Sequence, residues 1–281
     1  MIDSLRAILD SDLLRRALFE AMIVGALGGI IGVHLVMRRL SFTAMALTHA
    51  TFPGVVLAAL LGINLLLGSA AFGLVVVVAI WLTSRRREID NSTATGVVLA
   101  GGFALGVLLL SAQDGFSRDL TGYLVGSVLT VTSSDVGVAA ISAIAIAGVL
   151  AVLHRPLVFS AFDRVGAESA GLPVLWIDLG VLVLLESALI LSLPTVGTIL
   201  SVSLLVGPAS PARLWVDHVG ASMVLAAIIG VLSAVIGLVI SNMAGPAAGA
   251  TIAVVVGATF AASLVSAPTV HRQRGASVHP A

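Results

Sequence analysis

A histidine followed four residues later by a proline, inside an apolar run, is the pairing in this chain that most suggests chemistry. It lies in Arg38-Arg39-Leu40-Ser41-Phe42-Thr43-Ala44-Met45-Ala46-Leu47-Thr48-His49-Ala50-Thr51-Phe52-Pro53-Gly54. Pro53 has no N–H to return to the His49 carbonyl, so a helix through this stretch should bend or open there. At membrane depth a freed carbonyl tolerates only protein, water or an ion as partner. An imidazole at the same level gives a transient cation a second donor, and Met45 and Thr48 share or flank that face. The structural alternative is an imidazole capped by a neighbouring helix at a kink that serves packing alone. His49 follows Arg38 by eleven residues, which at about 1.5 Å per residue is roughly 16 Å. That depth is near the middle of a hydrocarbon core about 30 Å thick.

Glu186 reads as the one acid well inside an apolar run, where a carboxylate is expensive unless it pairs, lines water or binds a cation. It is therefore either a ligand on a polar path or a protonated partner in a helix-to-helix hydrogen bond. His34, one turn before Arg38, reads as interfacial, and Asp217-His218 as a solvated turn. Gln113, Asp114, Arg118 and Asp119 are polar residues that could meet a docking protein. No G-x-x-x-x-G-K-[ST] sequence occurs, so any ATP used is handled by another chain. An intramembrane enzyme is disfavoured, because no H-E-x-x-H or serine–base pairing stands at membrane depth.

The elements that must position these residues follow from composition. Of 281 residues 59% are hydrophobic and 10% charged, and the mean hydropathy is +1.16. That leaves too little polar surface to clothe a soluble globule, which predicts an all-α, polytopic integral membrane bundle. The chain has no lysine; its 14 arginines balance 14 acids and sit in small groups at segment ends, so no nucleic-acid partner is suggested. Without cysteine, disulfides and thiolate metal sites are excluded. Residues 1–17, with Leu5, Ile8, Leu9 and Leu13 at helical spacing, predict an amphipathic segment that lies in the lipid interface or, preferably, packs on the bundle.

Apolar runs at about 18–37, 43–61, 65–83, 93–111, 136–153, 175–193, 196–214, 219–240 and 249–267 give eight or nine crossings. The stretch from Asp119 to Val131 could be re-entrant. Short arginine-rich loops stay cytoplasmic, which places Arg38-Arg39, Arg85-Arg86-Arg87, Arg155 with Arg164, Arg213, and Arg272 with Arg274 on the inner side. With nine crossings the N-terminus is then outside. Gly25/Gly29, Gly28/Gly32 and Gly102/Gly106 predict close helix contacts. The transmembrane domain is expected over 18–267, with a tail over 268–281.

The longest polar interruption, 154–174, carries a discrete helix. Asp163 can cap a helix from Arg164 to Ala170, Gly171 can end it and Pro173 bars its extension. A helix this short wants a partner, either a cytoplasmic subunit or its own bundle.

The run Phe162-Asp163-x-x-x-Ala167-x-x-x-Gly171-Leu172-Pro173 resembles the coupling loop of permease subunits of metal-type (zinc and manganese) ATP-binding-cassette importers. Arg38-Arg39-Leu40-Ser41 followed by Ala46-Leu47-x-His49-Ala50-x-x-Pro53-Gly54 is similar to that family's early signature. Val196-Gly197-x-x-Leu200-x-x-x-Leu204-Leu205-x-x-Pro208-Ala209-x-x-Ala212-Arg213-Leu214 resembles its late one, and Gly249-Ala250-Thr251-Ile252 the start of its final segment. Order and spacing agree from about residue 18 to 265. The resemblance implies a bundle related to cobalamin and siderophore importer permeases in the bacterial inner membrane, with two permease subunits, the same or different, around a path. It implies ATPase subunits beneath, contacting Phe162, Asp163, Ala167, Glu168 and Gly171, and an extracytoplasmic metal-binding protein outside. The chain itself would hold no cofactor, and its cargo would be a divalent metal ion, zinc or manganese, passing His49. Many members have Asp where this chain has Met45 and Gly where it has Ala44; a soft, neutral thioether replaces a hard, charged oxygen donor. Glu186 is then a candidate to supply the missing charge, giving His49, Glu186 and Met45 as metal residues. The alternatives are a stand-alone gradient-driven transporter with Glu186 as proton carrier, or an importer of a metal chelate such as a siderophore.

Overall fold

The computed structural model describes residues 8–85, 90–112 and 131–276, which form thirteen helices and, among those residues, no strand. In chain order they are α1 (Asp12–Met37), α2 (Ser41–Ala50), α3 (Phe52–Leu61), α4 (Leu65–Ser84), α5 (Asn91–Ser111), α6 (Ser133–Val152), α7 (His154–Phe162), α8 (Arg164–Ser169), α9 (Val174–Val196), α10 (Thr198–Val206), α11 (Ala209–Trp215), α12 (Val219–Ala244) and α13 (Ala248–Ala276). Eight stretches are long and apolar enough to cross a bilayer: α1, α2 with α3, α4, α5, α6, α9, α12 and α13. The expected run at 196–214 is not one continuous helix. Gly207 and Pro208 divide it into α10 and α11, since Pro208 offers no N–H to continue the ladder.

α1 is the central post. Its two interleaved glycine pairs face different neighbours: a Cβ on Gly25 would meet the Gly230 carbonyl oxygen at 2.7 Å and one on Gly29 would strike Ala226, both on α12. Gly28 faces the Leu204 carbonyl oxygen at 2.7 Å, and Gly32 faces Leu205 and Ala209. In lipid, where no hydrophobic drive brings helices together, such backbone proximity supplies the packing attraction.

These contacts also set the direction of each traverse. α12 runs antiparallel to α1, with Val219 packed near Val36 and Met37, while α9 begins beside Arg38 through Asp178. The chain leaves the arginine end in α9 and starts from that same end in α12. Residues 197–218 must therefore descend the full thickness, and the α10–α11 pair does so along α1. The nine-crossing arrangement is the one this packing supports, with the start of α1 at the end away from the arginines. Trp81 and Trp176 pair near that arginine end, their ring centroids 5.5 Å apart, with the Arg85 guanidinium 4.8 Å above Trp81. An aromatic and cationic belt of this kind marks a membrane–water interface.

α1 is continuous from Asp12, so the last residues of the 1–17 segment are its first turns; Ile8 and Leu18 pack with Leu238 and Val239. The expected re-entrant stretch and the polar group at Gln113, Asp114, Arg118 and Asp119 fall outside the described residues, Val131 apart.

Candidate functional site

The predicted bend is present: α2 ends at Ala50, Thr51 is shared between caps, and Pro53 stands in the first turn of α3, where its missing N–H costs nothing. Thr51 ties the joint, its N–H donating to the Leu47 carbonyl at 3.1 Å and its hydroxyl to the same oxygen at 2.9 Å. Arg38 and Arg39 lie in the turn that precedes α2 rather than on it. Arg39 adopts φ 58, a left-handed conformation that reverses the chain at the membrane surface.

His49 projects from the last turn of α2, partly exposed, with its ring edge-on to Phe103 at 6.2 Å between centroids. Phe103 in turn stacks on Phe52 at 5.7 Å. α5 can come this close because Gly102 rests on Ala50 and Gly106 on Phe52 and Pro53. Met45, one turn before His49, is 39% exposed and Phe42 lies on the same face. The face thus has an apolar aromatic wall on one side and an imidazole and a thioether open on the other.

Glu186 is 3% exposed, with Oε2 unpartnered. Its carboxylate occupies the space that a Cβ on Gly73 of α4 would need. His49 and Glu186 therefore have different neighbours, and among the described residues no group of three or more His, Asp or Glu side chains converges as a metal cage. Glu186 is also not the one deeply buried acid. Glu20 in α1 is 1% exposed and likewise has an oxygen without a partner; it stands two residues inside the first apolar run, too near its edge to draw notice in sequence.

At the arginine end, Asp163 caps α8, its carboxylate accepting from the Gly166 N–H at 2.8 Å, and Gly171 with φ +80 follows the end of that helix. Ala167 is fully buried, whereas Phe162 is 67% and Val165 73% exposed. The expected loop contains a second helix, α7, which sequence reading missed. An ion-pair chain, also unforeseen, joins four elements. The Arg38 guanidinium donates to Asp178 Oδ1 at 2.8 Å, to the Leu157 carbonyl at 3.0 Å and to Ser160 Oγ at 2.7 Å. Arg164 donates to the other Asp178 oxygen at 2.8 Å and pairs with Glu168 at 3.4 Å. Burial pulls the pKa of Arg38 down from its ordinary value, and Asp178 counters that pull. Asp178 thus bridges α8 to the turn from which the His49 helix starts.

Sequence comparison supplies the last observation. The family model described as the ABC 3 transport family matches residues 10–267. The chain belongs to that family. Among ABC 3 relatives, the manganese transport system membrane protein MntC of Listeria monocytogenes is 34% identical over 264 residues, covering 94% of each chain. The manganese import system permease protein ScaB of Streptococcus parasanguinis is 32% identical over 263 residues, again 94% of each. In the solved structure of PsaBC from Streptococcus pneumoniae with a Fab, the matching chain superposes with a TM-score of 0.84 at 29% identity, over 94% of this chain and 95% of that one. The ABC 3 assignment and the helical bundle together make this a multi-pass membrane permease of the cell membrane.

Proposed function

We propose that this chain is the permease subunit of an ATP-driven importer of a divalent transition metal, manganese before zinc, working as a pair of permeases with separate ATPase subunits and an outer metal-binding protein. The observation that carries this reading is the joint between the exposed α8 tip and the His49 helix, made by Arg164, Asp178 and Arg38. The names of the 34% and 32% identical relatives support manganese as cargo. Phe162 and Val165 are apolar knobs for an ATPase groove, while Asp163, Ala167, Glu168 and Gly171 hold the helix that presents them. Nucleotide-driven closure pushes α8, and the bundle shifts between outward-facing and inward-facing states. His49 and Met45, on an open face of α2, meet the metal between two permeases. Glu186 of α9 is enclosed against Gly73 of α4.

The test is reconstitution of the chain with its ATPase and binding protein in proteoliposomes, followed by uptake of radioactive Mn2+. Uptake is expected only with ATPase and ATP present. Transport by the chain alone, driven by an ion gradient, overturns the reading.

A further inference from the structure

We infer that the arginine ends of α4 and α9 hold one anionic phospholipid, its phosphate on the Arg85 guanidinium and an acyl chain along the exposed face of α4. Arg85 directly follows the last residue of α4, with its guanidinium 4.8 Å over the Trp81 ring. That ring is itself fixed. Its indole N–H donates to the Leu175 carbonyl at 2.8 Å, and Trp176 packs against it at 5.5 Å between centroids. A guanidinium placed over an aromatic ring still has its N–H donors to give, and phosphate is an oxyanion it takes in bidentate fashion.

No protein acid uses those donors. Among the described residues Arg85 forms no ion pair. Both oxygens of Asp178, two residues beyond Trp176, are held by Arg38 and Arg164. A zwitterionic headgroup brings its own cation beside Arg85, where Asp178 has nothing left to receive it, so the net-negative headgroup is the one that fits.

What lies below the arginine decides between a lipid and a dissolved anion. At about 100° per residue, Leu74, Val78, Trp81, Leu82 and Arg85 fall within about 100° of arc on α4. Leu74, Val78 and Leu82 are all exposed. From Leu74 to Arg85 is eleven residues, roughly 16 Å at about 1.5 Å per residue, which is the depth of one leaflet in a core about 30 Å thick. An apolar track of that length ending at an unpaired cation matches an acyl chain with its phosphate above. The headgroup braces the end of α4 against the start of α9, beside the Asp178 joint. The inference rests on the membrane placement of the chain and is independent of its cargo.

The experiment uses the full-length chain carrying Trp215→Phe, which leaves Trp81 and Trp176 as its tryptophans, in nanodiscs of phosphatidylcholine with phosphatidylglycerol. Tryptophan quenching is measured with bromine on the acyl chains of one lipid or the other, which gives the relative affinity of the site for the two. Phosphatidylglycerol should be preferred about fivefold, the size of one arginine beside an anionic surface. Arg85→Gln should bring that ratio to within about twofold of unity. Arg155→Gln, which removes an exposed arginine at the same end, should leave it unchanged. Excess inorganic phosphate should not relieve the quenching. Equal quenching by the two lipids, or an unchanged ratio in Arg85→Gln, overturns the site. So does an equal loss in Arg155→Gln, which marks diffuse surface charge, or relief by inorganic phosphate, which assigns Arg85 to a dissolved anion. If Arg85→Gln fails to insert, the lipid comparison, the phosphate competition and Arg155→Gln still decide.

Discussion

A metal donor and a structural acid differ in what their isosteres do. Replacing His49 with Ala removes the imidazole from an open face while leaving the Thr51 joint intact, so Mn2+ uptake should fall at least about tenfold with normal membrane insertion. Glu186 has the opposite surroundings, enclosed against Gly73 with an oxygen unpartnered. Glu186→Gln preserves that shape, and uptake should stay within about twofold of the original, since no charged contact is lost. A fall matching that of His49→Ala would make Glu186 a metal donor beside His49. Met45→Asp places a hard anionic oxygen one turn from His49 and should shift preference from softer Cd2+ or Zn2+ toward Mn2+, measured as relative uptake in competition. At the joint, Asp178→Asn keeps an acceptor but leaves the Arg38 charge buried without its counter-charge. Breaking a buried pair costs about 3–5 kcal/mol, and the Arg38 side chain is 7% exposed. A lowered denaturation midpoint is expected, with ATP hydrolysis continuing while uptake falls.

Among helices, what could be read in the sequence was whatever depends on neighbours along the chain. Asp163 as a cap and Gly171 as a stop follow from local backbone chemistry, and both stand where spacing put them. The bend before Pro53 is equally local. Gly25/Gly29 and Gly28/Gly32 announced close contacts, but which helix each pair meets depends on the fold of residues about two hundred positions away, and no periodicity carries that. The Arg38–Asp178 pair spans 140 residues and was hidden for the same reason. Hydropathy alone could not tell a continuous span from the α10–α11 pair, because both are mostly apolar; the break at Gly207-Pro208 went unread. The stop at Gly171 gives a clean test, since nothing lies within 4 Å of where its Cβ would be. Gly171→Ala therefore costs only the left-handed backbone, about 1–2 kcal/mol, and should weaken coupling without loosening the bundle. Phe162→Ser with Val165→Ser should leave the fold intact and reduce capture of the ATPase, read by co-purification.

For the whole molecule, the unfinished surface decides. A single chain leaves Phe42, Met45 and Phe103 exposed around a partly exposed histidine, and an imidazole facing lipid at that depth is costly. In the proposed pair of permeases, water and the second subunit would remove the cost together, by turning this face into one wall of a shared path. On the same proposal this wall would open and close as α8 is driven, because α2 is joined to α8 through Arg38 and Asp178. The chain contains no cysteine, so Met45→Cys introduces the sole thiol in the permease. In the complete transporter that thiol should react quickly with a water-soluble maleimide in one nucleotide state and at least about tenfold more slowly in the other, as the path alternates between open and sealed. Equal labelling in ATP-bound and nucleotide-free transporter would mean that α2 faces something other than a gated path, and a lipid-soluble maleimide reacting where the water-soluble one does not would identify that neighbour as the bilayer.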